Sequence, residues 1–180
     1  MVNLRSLVLL ETELIRLGHR PIDITMGEAQ IPEGITVGQL LQLRAALSRH
    51  GLTLLEDKKE ILVHRVRLAI FDFVYNEEQP AGKNLSAHLS DTLDYDYTYI
   101  SNVFSQTTKG TIEKLYICHR IERVKRLLLF EGLTLNEIAR KMHYSSPSHL
   151  SSQFRKVTGC TASEFKQEYQ DKIPLPVNCG

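Results

Sequence analysis

The run Thr134-Leu-Asn-Glu-Ile-Ala-Arg-Lys-Met-His-Tyr-Ser-Ser-Pro-Ser-His-Leu-Ser-Ser-Gln-Phe-Arg-Lys-Val-Thr-Gly159 reads as two short helices with a tight turn between them. Thr134 and Glu137 have the spacing of a capping box, in which a hydroxyl and a carboxylate satisfy the orphan N–H groups of a helix start. The helix they open carries Leu135, Ile138, Ala139 and Met142 on one side, and His143-Tyr144 makes the turn. Ser146 followed by Pro147 opens the next helix as a cap and then a proline at the first helical position, where the missing N–H costs nothing. Two short helices joined in this way are a helix-turn-helix pattern.

The second of these helices has two unlike sides. Taking Ser148 as zero and about 100° per residue, Leu150, Phe154 and Val157 fall at about 200°, about 240° and about 180°, facing a core. Ser148, Ser151, Ser152 and Arg155 fall on the opposite side, which holds small hydroxyls and a cation but no acid. Such an exterior lies against a duplex without repelling phosphate, and small polar side chains let a helix seat deeply in a major groove. An ordinary amphipathic surface helix has the same pattern, so the geometry allows both.

An internal repeat extends the reading upstream. Leu85 and Leu135, Leu89 and Ala139, Ile100 and Leu150, Phe104 and Phe154, and Leu115 and Phe165 pair at an offset of 50, and Gly110 and Gly159 at 49. Two copies are too few for a repeat array, and duplication of a compact helical module fits instead. In the first copy Ile100, Val103 and Phe104 form the buried stripe of a helix over 97–108, with Thr98, Ser101, Asn102 and Ser105 opposite. None of those four is basic, and Asp91, Asp94 and Asp96 sit at or before the helix start. Two readings compete, a weaker DNA reader and a structural copy turned to partner contacts; the first is preferred. A helix over 112–130 joins the copies, with Leu115, Cys118, Ile121, Val124 and Leu128 as its expected buried stripe. Arg120, Arg123, Lys125 and Arg126 crowd its middle, where they would meet backbone phosphate or form an ordinary solvated face.

The chain has 180 residues, 22 Lys+Arg, 21 Asp+Glu and a mean hydropathy of -0.19, which exclude a disordered acidic or basic chain. Residues 1–57 carry five basic and seven acidic residues, a net of −2, whereas 111–180 carry eleven and seven, a net of +4. The near-neutral total hides a basic C-terminal part that allows a polyanion-binding face. No long apolar run spans a bilayer, and the first residues make a poor signal peptide, so a cytosolic protein without membrane association is expected. Cys118, Cys160 and Cys179 form no C-x-x-C pair, and reduced thiols are expected.

Helical spacing over 4–17 stops at Gly18, and Ile22–Met26 alternates as a strand does. Ala29–Ile31 reads as a second strand, and Thr36 with Gln39 as a capping box for a helix stopping at Gly51. Leu52–Leu55 reads as a further strand. The expected architecture is therefore α+β: a small α/β unit over 1–57 and an all-α domain with two helix-turn-helix units over 58–172. The domain's helices are read at 58–76, 85–92, 97–108, 112–130, 135–142, 147–158 and 162–169, after a turn-rich break at 77–83. A tail over 173–180 is extended or mobile.

Through Arg120-Ile-Glu-Arg-Val-Lys-Arg-Leu-Leu128, Leu133-Thr-Leu-Asn-Glu-Ile-Ala-Arg140 and Tyr144–Gly159, the chain resembles the AraC/XylS family of bacterial transcription regulators, over roughly 58–169. The resemblance implies two recognition helices in successive major grooves, about 34 Å apart on one face of double-stranded DNA. It implies base contacts from Ser148, Ser151 and Ser152 and from Thr98, Ser101 and Asn102. Ser146, Arg155, Lys156, Arg120, Arg123 and Arg126 complete the DNA-facing set, and RNA polymerase is a further implied partner. The first unit departs from the family in lacking basic residues near its recognition helix. The N-terminal part is similar to a truncated ferredoxin-like heavy-metal-associated domain. Asn3 and Ser6 stand where that family carries its thiolates, so neither a metal nor another cofactor is expected. The sheet edge left by the truncation would allow a homo-oligomer through this unit.

A sequence-specific DNA-binding regulator is the first functional reading, and a protein-interaction module that kept the helical fold is the alternative. An enzyme is not expected: His19, His50, His64, His88, His119, His143 and His149 are scattered, and no nucleophile, metal or phosphate-loop motif accompanies them.

Overall fold

A computed structural model describes residues 4–21, 23–25, 28–30, 34–55, 57–76 and 84–172. The expectations for 77–83 and 173–180 lie outside the described residues. The chain divides into two units, 1–56 and 57–180.

In the first unit α1 (Leu4–Arg16) precedes β1 (Asp23–Thr25), β2 (Glu28–Gln30) and α2 (Val37–Arg49). The strands pair antiparallel, with Ile24 opposite Ala29. Leu14, Leu43 and Leu47 make a small core, lined by Leu9, Leu10, Leu17, Leu52 and Leu54. Thr36 and Gln39 form the capping box of α2, and the Gln39 amide also donates to the Leu17 carbonyl at 2.9 Å, joining the start of α2 to the end of α1.

Leu52–Leu55 is not a strand, and the ferredoxin-like expectation finds no support. Gly51 lies in the left-handed region (φ 72°), and the N–H groups of Gly51 and Leu52 bond back to the Ser48 and Leu47 carbonyls. The start of the segment therefore closes α2 rather than pairing with a sheet. Leu52 and Leu54 pack against the core from an irregular backbone. Among the described residues the sheet has only β1 and β2.

The second unit is helical: α3 (Lys58–Tyr75), α4 (Leu85–Leu93), α5 (Tyr97–Thr108), α6 (Ile112–Phe130), α7 (Leu135–Lys141), α8 (Pro147–Thr158) and α9 (Ala162–Lys172). It has two cores. Leu62, Val66, Ile70, Leu89, Ile100, Phe104 and Ile112 belong to one, and Ile121, Val124, Leu128, Ile138, Leu150 and Phe154 to the other. Helix α6 serves both, but with different sides. At about 100° per residue, the positions it gives the first core centre roughly 130° from those it gives the second. Cys118 falls between these faces and is exposed, contrary to its expected place in a single buried stripe. Leu127, about 180° round the helix from Cys118, is buried in the second core instead, and Ile117 packs against it.

The repeat holds at an offset of 50, capping included. The Thr108 and Thr158 hydroxyls donate to the Phe104 and Phe154 carbonyls, each at 2.8 Å, and Thr111 and Thr161 cap the helices that follow. The left-handed residue ending α8 is Gly159 (φ 82°), and its counterpart ending α5 is Lys109 (φ 55°), so Gly110 is not the partner of Gly159. A Cβ in that conformation crowds the following carbonyl. Lys109→Gly is accordingly expected to stabilise the protein by about 0.5–1 kcal/mol, after allowing for the entropy glycine adds to the unfolded chain. Urea-unfolding midpoints check this, and a midpoint unchanged or lowered would contradict it.

Candidate nucleic-acid interface

The helix-turn-helix of α7 and α8 is built from three local devices. Thr134 accepts from the Glu137 N–H at 3.3 Å, and the Glu137 carboxylate accepts from the Thr134 N–H at 2.8 Å and hydroxyl at 2.7 Å. The bonds from the Thr134 hydroxyl and N–H hold the Glu137 carboxyl below the usual carboxylate range. The turn is a C-terminal helix closure, with His143 in the left-handed region (φ 53°) and the Tyr144 N–H bonded to the Ala139 carbonyl at 2.8 Å. Ser146 then caps α8, its hydroxyl accepting from the His149 N–H at 3.1 Å, with Pro147 first in the helix.

This turn fixes which side of α8 is buried. Leu150 and Phe154 are 0% exposed, and the Phe154 ring meets Phe165 of α9 edge-on at 5.7 Å. Ser148, Ser152, Arg155 and Lys156 are exposed, while Ser146 and Ser151 are half-buried. Val157, expected in the core, is 39% exposed, because it lies on the rim of the stripe that Leu150 and Phe154 centre.

In α5, Ile100, Val103 and Phe104 are buried, Thr98 and Asn102 exposed, and Ser101 half-buried. Asp96 caps the helix, accepting from the N–H groups of Thr98 at 2.7 Å and Tyr99 at 3.4 Å. Hydrogen bonds from Thr98 lead the causes that hold its carboxyl below the ordinary range. Sequence reasoning passed over Tyr95 and Tyr99, half-exposed rings stacked at 5.3 Å, though their spacing of four was the available signal. The two copies differ sharply in charge. Residues 84–108 carry three Asp and no Lys or Arg, a net of −3, whereas 134–158 carry Glu137 against Arg140, Lys141, Arg155 and Lys156, a net of +3.

The cations of α6 do not share one fate. Arg120 donates to the Met142 carbonyl and lies over the Tyr144 ring, and Arg123 donates to the Val74 carbonyl at the end of α3. Both guanidinium groups, expected to face DNA, are half-buried and bonded to carbonyls of the same unit. The reason is the double duty of α6, which brings the middle of the helix against its neighbours. Lys125 bonds to Glu122 at 2.6 Å. Arg126 is exposed, near the Tyr75 ring at 5.8 Å.

Residues 89–168 match a family of helix-turn-helix domains. Among solved structures, the chain is similar to the C-terminal domain of AraT, a response regulator from Geobacillus stearothermophilus. They share 18% identity over 69% of this chain and 95% of that one, with a TM-score of 0.52. It is also similar to a DNA-binding transcriptional dual regulator from Escherichia coli K-12, at 17% identity over 59% of this chain and 93% of that one, with a TM-score of 0.50. No curated protein matches the chain significantly in sequence. The matched segment is a helix-turn-helix domain, in keeping with the resemblance read over 58–169; the heavy-metal-associated resemblance of the N-terminal part finds no support. No described helix is long and apolar enough to cross a membrane, and no group of three metal-ligating side chains occurs among the described residues.

Proposed function

We propose that this protein is a sequence-specific DNA-binding transcriptional regulator that reads double-stranded DNA chiefly through α8. Ser148, Ser151 and Ser152 meet base edges in a major groove, and Arg155 and Lys156 meet the phosphates beside it. Ser146 contributes by capping the helix whose first turn enters the groove. The single observation that carries this reading is the acid-free outer face of α8, held outward by the fully buried Leu150 and Phe154. Helix α5 enters the next groove with Thr98, Ser101 and Asn102, and the exposed Arg126 supplies a phosphate contact between the two.

The test is selection of duplexes from a random pool, followed by titration across salt concentration. Arg155→Ala is expected to weaken binding on every sequence and to lower the slope of log affinity against log salt by about 1, because one phosphate contact is lost. An unchanged slope would remove Arg155 from the interface.

The charge of −3 over 84–108 and the exposed Tyr95–Tyr99 pair favour a second reading for α5 alone, contact with a protein partner. RNA polymerase is the partner the resemblance suggests. Protection of two successive grooves in a footprint selects the tandem reading, and protection of one selects the partner reading. A second copy of the chain is a further candidate partner, through the first unit, where Leu4, Val8 and Ile15 are exposed on α1.

A further inference from the structure

Arg120 lies midway along α6, yet its side chain reaches the turn between α7 and α8. Its Nη2 donates to the Met142 carbonyl at 2.5 Å, and its guanidinium carbon stands 3.9 Å from the centroid of the Tyr144 ring. Tyr116 flanks it, with the ring centroid at 5.5 Å and the hydroxyl accepting from Nη1 at 3.5 Å. From Tyr144 the contacts continue into α8: its hydroxyl donates to Gln153 Oε1 at 2.7 Å, and its ring meets His149 edge-on at 5.6 Å. His149 Nδ1 and the Ser145 hydroxyl, 3.0 Å apart, close the cluster on the turn.

We propose that Arg120 is a positioning residue for DNA recognition, fixing the rotation of α8 relative to α6 through Tyr144 and Gln153. The proposal rests on the reading of α8 as the recognition helix. Met142 is the C-terminal cap of α7, so its carbonyl is one of the acceptors a helix end leaves unpaired, and a cation is favoured there by the helix dipole. A guanidinium can donate in its own plane to that carbonyl while its flat face stacks on a ring; an ammonium has no planar face to stack and holds the ring only as a point charge. Tyr144 is half-buried, which pushes its phenol above the usual range, and its hydroxyl, protonated at neutral pH as any phenol is, donates to Gln153. Gln153 lies between the buried stripe of α8 and its outer face. A shift there therefore rotates Ser148 and Ser152 against the base edges.

Full-length wild type, Arg120→Lys and Tyr144→Phe are compared on the best duplex the wild type selects and on an unrelated duplex, across salt, with a thermal melt of each. Arg120→Lys keeps the charge and loses the stack. It is expected to lower the ratio of specific to non-specific affinity about ten-fold while leaving the salt slope as in wild type. Tyr144→Phe keeps the ring and loses only the hydroxyl, and about a three-fold fall in the same ratio is expected. A ratio unchanged in both variants overturns the proposal. So does a loss equal on both duplexes that follows the unfolded fraction, which marks a merely structural residue. A wild type that binds both duplexes but discriminates no sequence overturns the recognition reading of α8, and the proposal with it.

Discussion

A Phe154→Ala chain is expected to lose about 3–5 kcal/mol and with it retardation of any duplex. The ring is fully buried and packs on Phe165, and with Leu150 it is all that α8 itself contributes to the buried part of the second core. Truncation removes the apolar transfer energy and leaves a cavity among Ile121, Ile138 and Leu150, residues held by three different helices that cannot all close in. The first core has its own set of buried residues around α3, α4 and α5. Unfolding is therefore expected to separate into two steps, with α7–α9 lost first. Urea unfolding followed by circular dichroism would reveal this. A single transition displaced by less than about 1 kcal/mol would mean that α8 is not anchored by this ring.

Ser152→Glu should do the opposite, sparing the fold and removing the function. Ser152 is exposed in the middle of α8, and a substitution at such a site usually changes stability by no more than about 0.5 kcal/mol. On the proposed reading, the new carboxylate would face base edges and phosphates in a groove of concentrated negative potential. Specific affinity is expected to fall about 100-fold or more, a cost of roughly 3 kcal/mol. Titration of the selected duplex at fixed salt, beside a thermal melt, separates the two effects. Retained binding would move the interface off this face of α8. Asn102→Asp on α5 makes a useful companion, because a loss there would count α5 as a second reader.

The helices of the second unit were legible because each start carries its own chemistry. Thr134 with Glu137 and Ser146 with Pro147 satisfy orphan N–H groups within a few residues of chain, so the information is local. Leucine and phenylalanine spacing then placed Leu150 and Phe154 inside. The same logic failed for Leu52–Leu55, where an apolar run of strand composition was captured by the closure of α2 and a three-leucine core. It also failed for Cys118, because a single stripe was assumed for a helix that packs two ways.

The amino-acid order alone determined where the helices of the second unit begin, that the module is duplicated, and that the outer face of α8 is free of acids, since capping and helical periodicity act over a few residues. The tertiary structure alone decided what the cations of α6 do. Arg120 and Arg123 meet carbonyls 22 and 49 residues away along the chain, Met142 and Val74. No local pattern specifies such a meeting; it exists only once two cores have set α6 between α3 and the turn after α7.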